Sequence, residues 1–192
     1  MSRPFAGGVA AWMVAAACLM ASAAARAQSG SAVVRTWSFE EDRINDVPAG
    51  FSFDRTGNGR TGRWVVWPQQ DAPDGANVLA QVDSDSTEFR FPVAVAEEPR
   101  LADVRLAVRC KPVGGALEQS CGLMFRYQDA RNYYVARANA LEHNIRFYKV
   151  TDGLRQQLAS WSGPVASGTW HELVVEARGD HVAVFWDCQP VL

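Results

Sequence analysis

Lysine is nearly missing from this chain: of 19 basic residues only Lys111 and Lys149 are lysine, and the rest are arginine. Against 21 acids the net charge is −2, with no basic stripe, which argues against nucleic acid and anionic membrane surfaces as partners. The arginine bias reads as genomic composition rather than a phosphate-binding device. Histidine is scarce, and His143, His171 and His181 show no metal-ligand spacing. No Ser-His-Asp spacing, phosphate loop or dinucleotide fingerprint stands out. Helix-period runs are nearly absent, and after residue 30 there is no linker, repeat or low-complexity segment. Nothing there approaches the ~18 unbroken apolar residues of a membrane span.

What is present begins with an export leader. A short basic start (Arg3) precedes the apolar run Val9–Met20, and Ala25-Arg26-Ala27 is the small-x-small triplet that signal peptidase cuts after. An uncleaved anchor and a lipoprotein cut at Cys18 are the weaker alternatives; apolar residues continue past Cys18, and Ala15 stands three before it. Removing residues 1–27 leaves 165, with 17 basic against 21 acidic side chains. That length suits a single domain, 28–192, in a periplasmic or extracellular location.

Export permits disulfides, and three cysteines remain: Cys110, Cys121 and Cys188. Cys110 ends one strand run and Cys121 begins the next, so an antiparallel hairpin would bring them close. The spacing leaves a disulfide and two free thiols both open.

Strand signals recur at Val33–Phe39, Arg63–Trp67, Asn77–Gln81, Glu88–Val95, Asp103–Lys111, Cys121–Tyr127, Tyr133–Asn139, Ile145–Val150, Gln156–Trp161, Thr169–Ala177 and His181–Asp187. Several alternate with a period of two: Val104, Leu106 and Val108 oppose Arg105 and Arg109, and Leu173, Val175 and Ala177 oppose Glu172 and Glu176. Asp54–Gly59 and Asp71–Gly75 read as loops, Thr151-Asp152-Gly153 and Arg178-Gly179-Asp180 as hairpin turns. Short strands without intervening helices predict an antiparallel all-β sandwich or barrel.

Four segments then resemble one group in order and spacing: Gly122–Asp129, Asn132–Asn139, Asn144–Lys149 and Gly168–Val175. Trp37–Glu40, Pro48-Ala49-Gly50 and Trp64 extend the likeness over most of 33–191. The chain resembles the bacterial 3-keto-disaccharide hydrolase family, within the laminin G/concanavalin A-like jelly rolls. The resemblance implies a two-sheet jelly-roll sandwich with a concave sheet that binds sugar. For some members of that family it also implies hydrolysis of glycosides oxidised at the third sugar carbon.

Glycoside hydrolysis of the two-carboxylate kind needs paired acids, and the Glu-x-Asp-x-x-Glu pattern of jelly-roll glucanases is absent; Glu40-Glu41-Asp42 lacks the final Glu. A keto-sugar hydrolase would need one base and groups that stabilise an enolate. Candidate bases are Glu88, Glu142, His143 and His171, with Glu142 and His143 preferred because they lie at a turn beside Arg137, Asn139 and Arg146. A solvated turn with ordinary surface arginines is the competing reading. His171 alternates with Leu173 and Val175 and so points toward the core.

Sugar binding needs aromatic faces and planar polar groups. The candidates are Trp64, Arg126, Tyr134, Arg137, Asn139, Asn144, Arg146 and Tyr148, while Phe125, Trp186 and one of Tyr133 or Tyr134 are expected in the core. No cofactor is expected. Asp83 and Asp85 offer alternating oxygens to a calcium ion, but the loop lacks the glycine of a tight calcium turn.

At the end of the chain Asp187-Cys188 replaces the Asp-Gly usual in the family, and Pro190 removes a ladder donor from the return strand. The family's last strands have no counterpart here, which predicts an exposed edge at Val33–Phe39 and a route to edge-strand dimers. Three function classes remain: a carbohydrate-binding module, a keto-disaccharide hydrolase, and a non-catalytic structural or interaction domain.

Overall fold

Alternation of apolar and polar residues becomes twelve strands and no helix across residues 32–192, the part of the chain that this computed structural model describes. The leader read at 1–27 lies outside the described residues. In chain order the strands are β1 (Phe51–Gly57), β2 (Trp64–Pro68), β3 (Asn77–Gln81), β4 (Arg90–Ala96), β5 (Val104–Cys110) and β6 (Ser120–Asp129). There follow β7 (Asn132–Asn139), β8 (Asn144–Thr151), β9 (Leu154–Ser162), β10 (His171–Arg178), β11 (His181–Trp186) and β12 (Gln189–Pro190).

Two antiparallel four-stranded sheets, β12-β11-β10-β5 and β6-β7-β8-β9, form a sandwich, and β1-β4 and β2-β3 are two-stranded ribbons. The core lies between the large sheets. One contributes Ala136, Ala138, Ile145 and Phe147, the other Leu173, Val175, Ala177, Val184 and Trp186. The inward residues of β7 are mostly alanine, which leaves room for the rings of Phe125, Tyr134 and Phe147 to stack at 5.7–6.0 Å between centroids.

Cys110 and Cys121 are joined by a disulfide, with Cα atoms 6.2 Å apart. It does not close a hairpin: β5 is the edge of one sheet and β6 the edge of the other, so the bond ties the two layers together. The loop it closes is short, and the chain-entropy model gives about 3 kcal/mol or slightly less.

Three sequence expectations are corrected. No strand forms at Val33–Phe39. Val33 and Val34 are exposed, Phe39 turns to φ 63°, and the Trp37 and Phe39 rings pack on Phe51 instead. The exposed edge expected there, and the edge-strand dimer built on it, therefore lose their basis. Asp54–Gly59, read as a loop, is mostly strand: Phe51–Gly57 pairs residue by residue with Ala96–Arg90, and the turn waits until Gly57 and Gly59, whose φ values are 81° and 75°. Composition pointed to a turn, but the ladder offered these backbone groups partners. At the other end, Asp187 and Cys188 both adopt left-handed φ, 47° and 66°, and Gln189–Pro190 pairs with β11. Cys188 bears the strain that glycine would avoid. Pro190 is tolerated because it sits on the edge of its sheet.

Candidate functional site

A strand's period of two splits β7 and β8 into two unlike faces. Tyr134, Ala136 and Ala138 point inward with Ile145 and Phe147; Tyr133, Val135, Arg137 and Asn139 point outward with Asn144, Arg146, Tyr148 and Val150. Register then builds the outward face in rows. Asn139 and Asn144 lie side by side, flanked by Ser120 and Ser162, and Arg137 and Arg146 by Gly122 and Ser160. Large polar groups occupy the two middle strands and the smallest residues the two outer ones. A Cβ at Gly122 would come within 2.8 Å of the Ala136 carbonyl oxygen, so that position stays bare.

Two carboxylates close the upper end of this face. Glu118, from the loop before β6, accepts from Asn139 Nδ2 at 2.6 Å and Ser120 Oγ at 2.8 Å. Glu142, in the β7–β8 turn, accepts from Asn144 Nδ2 at 2.9 Å. Arg137 lies between them, 3.5 Å from Glu118 and 3.3 Å from Glu142, and Arg146 is 3.4 Å from Glu142. Both guanidinium groups reach the Tyr148 hydroxyl at 3.4 Å. Asn139 is fully buried and Asn144 is 4% exposed, yet Asn144 Oδ1 and Arg146 Nε have no hydrogen-bond partner. Buried polar atoms are nearly always paired, so two orphans in one cluster mark a place where something else supplies the bond.

The charges reinforce one another. The Asn144 hydrogen bond, followed by the fields of Arg137 and Arg146, holds the Glu142 carboxyl below its ordinary value against partial burial. The Tyr148 contact and the nearby carboxylates push Arg146 up.

Arg137, Asn139, Asn144, Arg146, Tyr148 and Glu142 thus form one cluster. The other candidate residues lie elsewhere or face away. Tyr134 is on the core face between Phe125 and Phe147. Arg126 sits at the irregularity in β6 with φ 51°, bonding the Ala102 and Gly179 carbonyls and pairing with Asp103. The Trp64 ring is stacked on Phe53 at 6.4 Å. His143 takes φ 49° to make the turn, and no hydrogen bond of the cluster involves its imidazole. Glu88 is exposed in the loop before β4.

His171 is an inward residue, stacked on Trp186 at 4.5 Å and bonded to Asp187 at 2.7 Å. Asp83 and Asp85 are occupied by guanidinium groups: Arg60 and Arg90 each reach Asp83 at 2.9 Å, and Thr87 bonds Asp85 at 2.7 Å. Their oxygens brace a loop rather than converge on a common point for calcium. Among the described residues no group of three or more His, Cys, Asp or Glu is placed to hold a metal.

Sequence reasoning missed Glu118, Arg155 and Phe91. Glu118 stands in a loop and carries no periodic signal. Arg155 on β9 meets Phe91 on β4 from a different sheet: the guanidinium carbon lies 3.7 Å from the Phe91 ring centroid. A separate hollow of about 180 Å³, lined by Pro73, Arg109, Trp170, His171 and Glu172, lies against β10. It is smaller than the ~300 Å³ of ordinary ligand pockets, and its Arg109 is already paired to Asp74 at 2.8 Å.

No family model matches the chain, and no curated protein matches it in sequence. Among solved structures it is similar to the carbohydrate binding module CBM66 from Bacillus subtilis, with a TM-score of 0.54 and 22% identity over 74% of this chain and 77% of that one. The likeness establishes a shared jelly-roll type of β-sandwich.

Proposed function

We propose that this protein is an exported module that binds carbohydrate on the outward face of β6-β7-β8-β9. One observation carries the reading: the guanidinium contacts of the cluster are open. They stand at 3.3–3.5 Å, as Arg126 does with Asp103, whereas Arg90 with Asp83, Arg109 with Asp74 and Lys111 with Asp71 close to 2.8–2.9 Å; in the cluster alone the open contacts lie beside the orphaned Asn144 Oδ1 and Arg146 Nε. Charge-assisted hydrogen bonds prefer about 2.7–2.9 Å, so Arg137 and Arg146 retain unspent donor capacity. A sugar hydroxyl both donates and accepts. A neighbouring pair of hydroxyls can fill an arginine N–H and a carboxylate or Asn144 oxygen together. The bare flanks at Gly122, Ser120, Ser160 and Ser162 leave room for a ring.

The sandwich shared with a protein named a carbohydrate binding module supports the same reading. Export is supported by the leader pattern and by the disulfide, which belongs to an oxidising compartment.

A glycan array on the purified protein, followed by titration of a hit, tests it. Arg137→Ala lowers affinity at least about tenfold, as loss of hydrogen bonds from a charged donor demands. Unchanged affinity in that variant would sink the assignment.

Hydrolysis of 3-keto-disaccharides is the second reading, favoured by Glu118 and Glu142 standing on either side of Arg137. Against it, the Asn144 hydrogen bond and the two arginines hold the Glu142 carboxyl below its ordinary value, which weakens it as a base. Turnover of a 3-keto-glucoside that disappears in Glu142→Gln would establish this reading over plain binding.

A further inference from the structure

Beyond the open contacts of Arg137 and Arg146, the same face holds a third guanidinium. Arg155 stands opposite Val150 in the β8–β9 ladder, half-buried, with its guanidinium carbon 3.7 Å from the Phe91 ring centroid and 5.0 Å from that of Tyr148. Among the described residues it has no carboxylate within ion-pair distance and no hydrogen-bond partner. Every other arginine on this face has one or both.

Tyr148 makes the three cations one strip. Its ring faces Arg155, and its hydroxyl meets Arg137 and Arg146. The strip therefore holds three guanidinium groups against the two carboxylates Glu118 and Glu142. The surplus charge sits at Arg155, half-buried against two aromatic rings. Desolvation there pushes Arg155 down from its ordinary value, and Arg137 adds repulsion. A desolvated charge without a partner is costly, and the aromatic faces compensate only in part. Arginine does not give up its proton, so the group that would offset the remaining cost is an anion.

We propose that the saccharide taken by this face is acidic, with a ring carboxylate or sulfate pairing with Arg155 while its hydroxyls meet Arg137, Arg146 and Asn144. The inference rests on the carbohydrate reading above and names its ligand class. The planar fork of Arg155 suits either anion.

The test is calorimetric titration of the purified protein with a galacturonate pentamer, its neutral methyl ester, and a sulfated galactan oligosaccharide without carboxylates. At least one anionic ligand binds about tenfold or more tighter than the ester, and the tighter of the two identifies the anion. The preference shrinks as sodium chloride is raised, a measurement that needs no variant. In Arg155→Gln it falls below about twofold, while Arg155→Lys keeps part of it. Binding of the methyl ester as tightly as both anionic ligands overturns the acidic proposal and leaves the carbohydrate reading standing. Binding of none of these, with a glycan array also blank, overturns both.

Discussion

At Asp83 the guanidinium groups of Arg60 and Arg90 close to 2.9 Å, Arg90 Nε bonds the Arg60 carbonyl at 2.8 Å, and the Arg90 side chain is only 5% exposed. Around Glu142 and Glu118 no guanidinium comes nearer than 3.3 Å, and short bonds come instead from the Asn144 amide to Glu142 and the Asn139 amide to Glu118. Both regions are arginine and carboxylate. In the first, both Asp83 oxygens are taken by guanidinium groups and Arg90 is buried against its partners, and the product is a brace between the Asp83–Thr87 loop and the turn after β1. In the second, buried amides hold the carboxylates still while the arginines keep donors free. The difference teaches that residue type does not mark a binding site. What marks it is how much hydrogen-bonding capacity remains after folding.

Replacing both Cys110 and Cys121 with serine has the largest expected effect on stability. It removes about 3 kcal/mol, by the loop-closure model, from the scaffold that carries both clusters. Denaturant unfolding measures this. Ligand affinity under native conditions should persist, because neither sulfur touches the outward face. If affinity falls with the disulfide, the open cluster depends on the spacing of the layers, and the contrast with the brace is weaker than drawn here.

Arg90→Ala separates the two regions more directly. It removes the buried one of the two guanidinium partners of Asp83 and lowers the thermal midpoint distinctly, whereas Arg137→Ala moves it by no more than about 2–4 °C, equivalent to about 1 kcal/mol for a chain of this size. Equal shifts from the two substitutions would remove the distinction between brace and site.

The smallest effect is pH. Hydrogen bonds from Thr87 and the Arg60 backbone hold Asp85 down at about 2 from an ordinary 3.8. A carboxyl with a depressed folded value stabilises above its unfolded value and loses that contribution as the pH falls through the folded one. The brace therefore weakens between about pH 4 and pH 2. Thermal unfolding across this range should show a slope that flattens in Asp85→Asn; an unchanged slope would mean that Asp85 is not strongly held.

Much of this was readable before any coordinates. Alternation in Asp103–Lys111 and Thr169–Ala177 announced a sheet with one buried face, and Arg137, Asn139 and Arg146 share a face because residues two apart in a strand must. The misplacements have a common cause. Tyr133 and Tyr134 are adjacent and identical in type. Which of them faces the core depended on the register with Phe125 and Phe147. Trp64 looked like a sugar platform until Phe53 covered it, and Val33–Phe39 looked like a strand until it found no ladder partner.

Local chemistry along the chain thus settled the alternation of Asp103–Lys111 and Thr169–Ala177 and the polar stripe on Asn132–Asn139. Those depend on neighbours a few residues apart. Packing of distant segments settled that Glu118 joins Glu142 around Arg137, that Arg155 lies between Phe91 and Tyr148, and that the disulfide joins two sheets rather than two arms of a hairpin. Phe91 reaches Arg155 and Glu118 reaches Arg137 from separate segments, and contacts of that kind exist only once those segments have packed together.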